Sequence, residues 1–427
     1  MRFILSLALV AFLSLSLAAQ VKEVQVGKGW SSNSVNVVKF RKNALTSFGN
    51  YQFVAFYDEQ ARVVVGKRKL SDEDWELKTT SFKGNASDAH NSISIAIDGQ
   101  GFLHLSWDHH NNQLHYARSK APLSMEFHEE TIMTGAHEGA VTYPEFFRLA
   151  NGDLIFCYRD GGSGKGNMVL NYYTTELQQW QQLHANLIDG EGRRNAYWQM
   201  CADKKGNLHL SWTWRESWLV ETNHDICYAY SPDGGKSWKN SKNEIYELPI
   251  TQESAEIAWR VPQNSNLMNQ TAMTTDAHGN PYIANYWNAD GITQYKVVYL
   301  ANGKWKLIDT AMRHRDFSLA GGGTKRIPIS RPEIIVGKNI HVIFRDEDQS
   351  NLVSMASYRW TKKKWQISKL TETPVGEWEP NIDLDLWREQ GKLHIFVQEV
   401  SQIDGEGKDN TIQPTMVRVL QVEKANF

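Results

Sequence analysis

One short hairpin pattern recurs seven times along the chain, and this repeat limits the possible fold more than any other feature. Each copy is a turn containing glycine followed by an apolar strand, as in GFLHLSWDHH, which begins at Gly101. The steps between the marker glycines are 52, 51, 54, 73, 58 and 54 residues, for Gly49, Gly101, Gly152, Gly206, Gly279, Gly337 and Gly391. A period of roughly fifty residues built from short strands is typical of a propeller. We therefore predict an all-β chain that forms a seven-bladed β-propeller with four antiparallel strands per blade.

The composition is that of one large exported domain. Hydrophobic residues make up 41% of the chain, and 46 basic and 48 acidic residues give a net charge of −2. Because these charges are spread out, neither a nucleic acid nor a membrane surface is expected as a partner. Residues 1–19, MRFILSLALVAFLSLSLAA, have the early arginine, apolar stretch and small final residues of a secretory signal peptide. We predict a single propeller domain over residues 20–427, a secreted or periplasmic location and a monomer.

The cysteines point to structural roles. The chain has three, Cys157, Cys201 and Cys227, and no close pair with the spacing of a metal site. This odd count permits at most one internal disulfide in an oxidising compartment. His224 lies near Cys227, which leaves a structural metal ion open, but buried thiols are the favoured interpretation.

One motif between two strands has a recognisable turn chemistry. The segment SPDGGKSW, residues 231–238, fits the pattern S-x-D-x-G-x-x-W of the Asp-box, which lies at the outer hairpin of many propeller blades. Its aspartate can accept hydrogen bonds from its own turn while the tryptophan packs between strands. We expect a structural role for it.

The two ends of each hairpin are expected at one face of the propeller. The innermost strand of a blade runs along the axis and the second strand returns beside it, so the start of one lies near the end of the other. Exposed rims usually collect Lys, Glu, Ser and Asp, whereas these ends are rich in His, Tyr, Arg and Trp, which suit a ring-shaped anionic ligand. The positions selected in this way include His90, His110, Tyr143, Arg159, Tyr197, Arg215, Trp287 and Arg331.

Two ways of cleaving an acidic polysaccharide are compatible with these residues. Hydrolysis requires two carboxylates about 5 to 10 Å apart. Asp108, Asp160, Asp346 and Glu379 leave this open, although most of them neighbour an Arg or His that they would orient. β-Elimination at a uronic acid requires a cation for the C5 carboxylate, a base for the C5 proton and an acid for the departing O4. Histidine, tyrosine and arginine from adjacent blades supply these three roles.

The hairpin ends also resemble a known family. The blade motifs of secreted BNR-repeat proteins are similar to HNSISIAIDGQGFLHLSWDHH, VTYPEFFRLANGDLIFCYRDGGSGKGN, NAYWQM, WTWRE, NHDICYAYSPDGGKSW and SRPEI. These proteins include seven-bladed propeller polysaccharide lyases, among them the ulvan lyases. The resemblance covers roughly blades two to seven, and it implies cleavage between a sulfated rhamnose and a uronic acid.

The resemblance also implies a role for individual residues. His90 and Tyr143 would form the acid–base pair, with His90 favoured as base and Tyr143 as acid. Arg159 and His110 would neutralise the carboxylate, and Tyr197 would help to orient the sugar. No cofactor is expected for catalysis; some members of the family carry a metal ion, and its ligands here are left open.

Two functions of other classes stay open. A sialidase-like hydrolase would need an arginine triad, which Arg159, Arg331 and Arg345 could mimic, although the chain has no early segment like FRIP. A non-catalytic glycan-binding propeller would keep the Trp and Arg residues but would not require the His and Tyr pair. The identity of the polymer and the choice between endo and exo cleavage do not follow from the sequence.

Overall fold

A ring of seven antiparallel sheets, arranged as blades around one axis, makes up the fold. The computed structural model describes residues 21–423, and within this range the innermost strands of blades one to six contact their neighbours in chain order. The predicted seven-bladed propeller is confirmed. The predicted signal peptide lies outside the described residues, and the domain boundaries stay a prediction. No helix in residues 21–423 has the length and apolar character needed to cross a membrane.

The strands of the first three blades are bounded as follows. The first described strand is β1 (Val21–Gly29), and blade one contains β2 (Leu45–Phe48), β3 (Tyr51–Tyr57), β4 (Arg62–Lys69) and β5 (Glu76–Lys83). Next come β6 (Ser94–Ile97), β7 (Leu103–Ser106), β8 (His110–Asn112) and β9 (Tyr116–Arg118). Blade three contains β10 (Val141–Arg148), β11 (Leu154–Asp160), β12 (Asn167–Thr174) and β13 (Gln179–His184).

The remaining blades follow the same order. Blade four contains β14 (Asn195–Ala202), β15 (Leu208–Arg215), β16 (Asn223–Ser231) and β17 (Glu256–Trp259). Blade five contains β18 (Ala272–Thr275), β19 (Pro281–Asn288), β20 (Thr293–Ala301) and β21 (Lys304–Asp309). Blade six contains β22 (Glu333–Val336), β23 (Ile340–Phe344), β24 (Ser354–Arg359) and β25 (Lys364–Lys369). Blade seven contains β26 (Asn381–Ile382), the helix α1 (Leu384–Gln390), β27 (Leu393–Val397) and β28 (Thr415–Val422); single 3₁₀ turns span Val220–Thr222 and Glu347–Gln349.

The recurring glycine has a conformational reason. Gly101, Gly152, Gly206 and Gly279 each follow the innermost strand of a blade with φ between 86° and 88°, a region that favours glycine. In the turn of Gly101, the Oδ1 of Asp98 accepts hydrogen bonds from the backbone N–H groups of Gln100 and Phe102, both at 2.9 Å. Blade seven departs from this pattern, because α1 replaces the tight turn between β26 and β27.

The Asp-box has the structural role expected of it. The Asp233 carboxylate accepts hydrogen bonds from the backbone N–H and the hydroxyl of Ser237, at 2.9 and 2.6 Å. Trp238 is fully buried and belongs to the core between blades three and four, together with Trp198 and Trp212. The motif therefore fixes an outer turn and fills the wedge between two blades.

The ring closes by pairing the first described strand with the last. β1 runs antiparallel to β28, with Val24 opposite Val419, and so becomes the outermost strand of blade seven. Both of these valines are buried. The outer strand of this blade therefore comes from the opposite end of the described chain.

Blade two differs from the predicted four-stranded form. Its sheet contains β6, β7 and β9, while β8 leaves it and pairs with β10 of blade three. In this pairing His110 lies opposite Thr142, the residue that precedes Tyr143. The strand exchange thus brings a histidine from blade two beside a tyrosine of blade three.

An irregular segment, residues 30–44, fills the channel at the centre of the ring, and we name it the channel segment. Residues 33–42 are all buried although none lies in a strand. The Arg41 guanidinium donates to the carbonyl of Ile93 in front of blade two, and Lys42 Nζ donates to the Thr271 carbonyl in front of blade five. Lys39 Nζ forms a 2.5 Å ion pair with Glu333 of blade six. Contacts to blades on all sides of the ring place this segment on the axis.

Candidate functional site

Six of the eight predicted site residues come together at the face where the innermost strands begin. The His90 and His110 rings stack with centroids 4.1 Å apart, and the His90 and Tyr143 centroids are 5.9 Å apart. The Tyr143 ring then meets Tyr197 at 6.1 Å. The guanidinium carbons of two arginines lie over these phenol rings, 4.9 Å from Tyr143 for Arg159 and 5.3 Å from Tyr197 for Arg215.

A carboxylate holds the two histidines. Asp88, in the connection before β6, contacts His90 Nδ1 through Oδ1 at 3.0 Å and His110 Nδ1 through Oδ2 at 2.6 Å. On its other side, His90 stacks on Phe40 of the channel segment, with centroids 4.8 Å apart. These contacts direct Nδ1 of His90 toward the carboxylate, which leaves Nε2 as its free nitrogen.

The surroundings of His90 favour its protonated form. Burial by itself lowers the pKa of the ring, but hydrogen bonds to Asp88 and to Glu406, whose Oε1 is 3.4 Å from Nδ1, outweigh this effect and raise the pKa to about 8. The Asp88 carboxyl responds in the opposite sense, because the two histidines hold its pKa far below the usual range despite its burial. His90 is therefore charged at neutral pH and becomes a base above about pH 8.

An irregularity in β10 directs Tyr143 toward the site. The pairing of β10 with β11 shifts register between Thr142 and Glu145, and Tyr143 within this bulge has φ 60°. A bulky residue rarely adopts this left-handed conformation, and β-bulges commonly re-aim a side chain next to a functional site. Burial raises the pKa of Tyr143 to about 12, so its hydroxyl keeps its proton at neutral pH.

Tyr197 has the more acidic phenol of the pair. Its burial would raise the pKa, but the positive charges of Arg215 and Arg159 outweigh burial and lower the pKa to about 8. Its hydroxyl also lies 3.2 Å from Ser163 Oγ in the connection after β11. The two neighbouring tyrosines therefore differ in their readiness to release a proton.

The two arginines at this face have no carboxylate partner among residues 21–423 within 4.0 Å. Arg159 donates from Nε to the Gly161 carbonyl at 3.0 Å and from Nη2 to the Thr142 hydroxyl at 3.2 Å, while its buried Nη1 has no partner. Arg215 donates to the Leu219 carbonyl at 3.2 Å and to Asn269 Oδ1 at 3.4 Å. A buried cation without a counter-ion is costly, so this pair is suited to an anionic ligand.

Two predicted substrate-binding residues are not available in this group. The Trp287 side chain is 3% exposed and packs in the core between blades four and five with Tyr228 and Met273. The Arg331 guanidinium lies 5.0 Å above the Phe40 ring, but it is paired with Glu379 at 2.5 Å. Trp287 thus packs in the core and Arg331 lies under Phe40 with its charge paired, so neither joins the six gathered residues, and their contact with substrate stays a prediction.

The carboxylates that hydrolysis would use and two of the arginines that a sialidase-like triad would use already have partners. Arg345 is buried and forms an ion pair with Glu377 at 3.2 Å, so with Arg331 paired as well the predicted arginine triad is not assembled. The candidate carboxylates are held by neighbours, such as Asp346 by Arg313 at 2.8 Å and Asp160 by His137 at 3.0 Å. The partners of Asp160 and Asp346 are not the arginines beside them in sequence, and Asp108 accepts a hydrogen bond from the backbone N–H of Asn85.

The remaining His and Cys residues have structural surroundings. His109 is fully buried and its Nε2 accepts a hydrogen bond from the His115 backbone at 2.8 Å, so it points away from His90. The three cysteines are buried and unbridged. Cys227 packs with Trp212 and Trp214, while the ring nitrogens of His224 contact Glu216 and Asp225, so the suggested Cys227 and His224 metal pair does not converge.

Three residues of the site carried no sequence signal. Asp88 and Glu406 lie in connections without a repeat pattern, and Phe40 lies in the irregular channel segment. The spacing of Asp88 two residues before His90 is a local hint, because a carboxylate so close to a histidine can orient it.

The ligand atoms of Asp88, His90 and His110 lie within 4.8 Å of one another, so these residues could hold a metal ion. In the present arrangement, direct hydrogen bonds of 2.6 and 3.0 Å join the carboxylate to the rings. A zinc ion binds such ligands at about 2.0 to 2.2 Å and would replace both hydrogen bonds. Metal binding and proton transfer by His90 are therefore competing uses of the same atoms.

Comparison with known proteins gives matches over most of the ring. A model of the BNR repeat-containing family matches residues 51–313. The long isoform of an ulvan lyase from Alteromonas sp. is 25% identical over 268 residues, which are 49% of this chain and 27% of that protein. An ulvan lyase from Nonlabens ulvanivorans is 21% identical over 271 residues, 54% of each chain. The chain thus spans about a quarter of the length of the long relatives.

Two solved structures share the fold. The polysaccharide lyase Uly1 superposes with a TM-score of 0.71 at 17% sequence identity, and the match covers 95% of this chain and 100% of that one. A PL25 ulvan lyase bound to -[GlcA(1-4)Rha3S]- gives 0.65 at 14% identity, covering 88% of this chain and 95% of that one. At these identities the similarity establishes the fold alone.

Proposed function

Because the chain belongs to the BNR repeat-containing family, and because its site gathers unpaired arginines beside a histidine and a tyrosine, we propose that it is a polysaccharide lyase. Its substrate would be an acidic, uronate-containing and sulfated polysaccharide similar to ulvan, cleaved by β-elimination. The observation that carries this proposal is the lack of a carboxylate partner for Arg159 and Arg215 among the described residues. The names of the ulvan lyase relatives support the same substrate class.

In this proposal Arg159 binds the C5 carboxylate. His110, which stacks on His90, is a second donor to the same carboxylate. The free Nη1 of Arg159 would complete a charge-assisted hydrogen bond to a carboxylate oxygen. Neutralising that charge makes the C5 proton more acidic, because the electron pair left on C5 can spread into the carboxylate. Tyr197 and Arg215 lie on the far side of Tyr143 and would orient the neighbouring sugar.

His90 and Tyr143 would transfer the two protons. Neutral His90 keeps its proton on Nδ1, where it is hydrogen-bonded to Asp88, and removes the C5 proton through Nε2. A C4=C5 double bond forms, the C4–O4 bond breaks, and O4 takes the Tyr143 hydroxyl proton. The raised pKa of Tyr143 suits the acid role, since between about pH 8 and about pH 12 His90 is neutral while Tyr143 still holds its proton.

A product assay tests the proposal. Ulvan, other uronate polymers and sialosides are incubated with the protein, and ultraviolet absorbance and reducing ends are recorded together. We expect unsaturated uronate ends and new reducing ends in equal number. New reducing ends without absorbance would indicate hydrolysis, and an unchanged chain length with measurable binding would indicate a glycan-binding propeller.

Two variants test the assigned roles. His90→Ala and Tyr143→Phe should each reduce kcat by about 10²- to 10⁴-fold, the usual contribution of a general acid or base. Tyr143→Phe should keep a melting temperature near the wild-type value because it keeps the packed ring, whereas His90→Ala removes a ring stacked on Phe40 and should lower the melting temperature. A His109→Ala variant serves as a matched histidine control that should lose stability rather than chemistry, since His109 is buried in blade two. Substantial activity in His90→Ala or Tyr143→Phe would contradict the assignment.

We also propose that the protein is exported to meet its polymeric substrate. Residues 1–19 have the composition of a signal peptide. Mass spectrometry of the protein recovered from the periplasm and the medium would identify its first residue. Recovery of the uncleaved chain from the cytoplasm alone would contradict export.

A further inference from the structure

The tryptophans that the sequence offered for sugar stacking are buried, but a different one is open at the same face. Trp218 lies in the connection between β15 and β16 of blade four, three residues after Arg215, and is 62% exposed. Trp214 and Trp287 are 1% and 3% exposed. An exposed large apolar side chain is by itself unremarkable, so the argument for Trp218 rests on how its ring is held.

The connection that carries Trp218 is braced from within. The Thr222 hydroxyl donates to the Leu219 carbonyl at 2.6 Å, and the Leu219 N–H donates to Ser217 Oγ at 3.1 Å. Arg215 donates from Nη2 to the Trp218 carbonyl, which ties this connection to the guanidinium that lies over Tyr197. The position of Trp218 is therefore fixed relative to the site.

A glycine run in the connection before blade six supports the indole from the other side. Gly321 accepts a hydrogen bond from the Val220 N–H at 2.9 Å and donates to the Glu221 carboxylate at 2.9 Å. Gly322 packs so closely that an added Cβ would stand 2.5 Å from Trp218 Cε3. One part of the ring is thus held by backbone while most of it faces solvent.

We propose that Trp218 is a stacking surface for a pyranose ring of the polysaccharide, next to the sugar held by Tyr197 and Arg215. A pyranose presents a face of C–H groups that packs on an aromatic ring, and a ring fixed in advance loses little conformational entropy on binding. The adjacent Arg215 guanidinium favours an anionic chain at this position. This inference rests on the proposed polysaccharide substrate and extends the site beyond the reacting unit.

The test compares Trp218→Ala with Trp360→Ala on the polymer. Trp360 is 37% exposed in the turn between β24 and β25, which lies at the opposite face of the ring, so it is a matched control. Trp218→Ala should raise KM by about three- to tenfold with kcat within about twofold of wild type, as expected for the loss of one stacking contact. Trp360→Ala should leave both constants unchanged, and Trp218→Phe should retain part of the affinity.

A second variant leaves the indole in place but moves it. Gly322→Ala should raise KM in the same direction, because its methyl group would displace the Trp218 ring. Equal KM values for Trp218→Ala and Trp360→Ala would overturn the proposal. Failure of the proposed function would instead appear as absence of unsaturated ends with the wild-type protein. In that case, calorimetric titration with ulvan of the wild type, Trp218→Ala and Trp360→Ala still tests the stacking surface. Weaker binding by Trp218→Ala alone supports it, and equal binding by all three proteins refutes it.

Discussion

At the scale of single residues, Asp88 determines how His90 works. One carboxylate contacts the Nδ1 atoms of two stacked histidines, so it fixes their orientation and raises the pKa of His90 to about 8. If neutral His90 is the base, activity should rise as the pH passes through about 8, where this ring loses its proton. In the proposed mechanism, the carboxylates of Asp88 and Glu406 thus set the pH range of the reaction.

Asp88→Asn should move the acidic limb of the kcat/KM profile to lower pH. The variant removes the negative charge that favours imidazolium, so His90 becomes neutral at a lower pH, and the maximal rate falls because the ring is less well oriented. Profiles of kcat/KM against pH for wild type and variant measure the shift.

Tyr197 provides the control, because its pKa is also lowered to about 8. Tyr197→Phe should keep the acidic limb of the wild type if His90 is the titrating base. If the acidic limb of the kcat/KM profile is unshifted in Asp88→Asn but absent in Tyr197→Phe, the titrating group is the Tyr197 phenol and not His90.

Metal ions should compete with the reaction. Zn²⁺ would bind the Asp88, His90 and His110 ligand atoms and withdraw the base, so we expect inhibition by added zinc and full activity after dialysis against a chelator. Activity assays over a zinc titration, before and after dialysis, measure both effects. Loss of activity on chelation and its return with a metal ion would show that the cluster is a metal centre.

The sequence predicted the residues at hairpin ends that form the site but not their exact orientation. His90, Tyr143 and Tyr197 were found because strand ends recur at one face of a repeat fold. The same rule did not anticipate that Trp287 packs in the core, since it locates a position along a strand and not the side of the sheet to which the side chain points. Asp88 was missed because a connection has no periodicity that fixes its position.

At the scale of elements, the channel segment links the site to the core of the ring. Its Phe40 lies under His90, and Val38 and Phe40 form a small apolar cluster with Tyr143 and Tyr197. The segment was not predicted, because an irregular stretch with Lys39, Arg41 and Lys42 reads as a solvated loop. Burial of these charges depends on partners from distant blades, which a local pattern does not reveal.

Lys39→Ala should destabilise the protein strongly. Lys39 and Glu333 form an ion pair with side chains only 0% and 6% exposed, and removing one partner leaves a buried charge. We expect a loss of about 3 to 5 kcal/mol in the free energy of unfolding, measured by denaturant titration.

An exposed pair gives the comparison for this experiment. Lys22 and Glu73 are 52% and 63% exposed, so Lys22→Ala should leave the free energy of unfolding close to the wild-type value. Similar stabilities of the two variants would mean that the buried pair does not hold the channel segment in place.

At the scale of the whole molecule, the pairing of β1 with β28 closes the ring. The sevenfold repeat predicted the number of blades, but it could not predict that the outer strand of blade seven comes from the start of the described chain. The reason is physical: within residues 21–423, blade seven contributes β26, β27 and β28 from its own segment, and β1 pairs with the edge that β28 would otherwise leave open.

Deleting residues 21–29 should lower the melting temperature by at least about 10 °C and promote aggregation, since an unpaired edge strand and buried valines become exposed. Thermal unfolding and light scattering measure these effects. Gln25→Ala, at an exposed position of β1, should behave as wild type. A deletion variant that melts like wild type would show that the ring is held without this closure.

If the proposed activity is correct, the channel segment makes turnover a reporter of complete assembly. It is synthesised before any of the blades that surround it, and the contacts of Lys39, Arg41 and Lys42 require blades two, five and six. Phe40 can therefore reach its place under His90 only when the ring is present around it. In a refolding experiment on the proposed lyase, β-structure should return first and turnover last, because the site is complete only after the ring has closed around this segment.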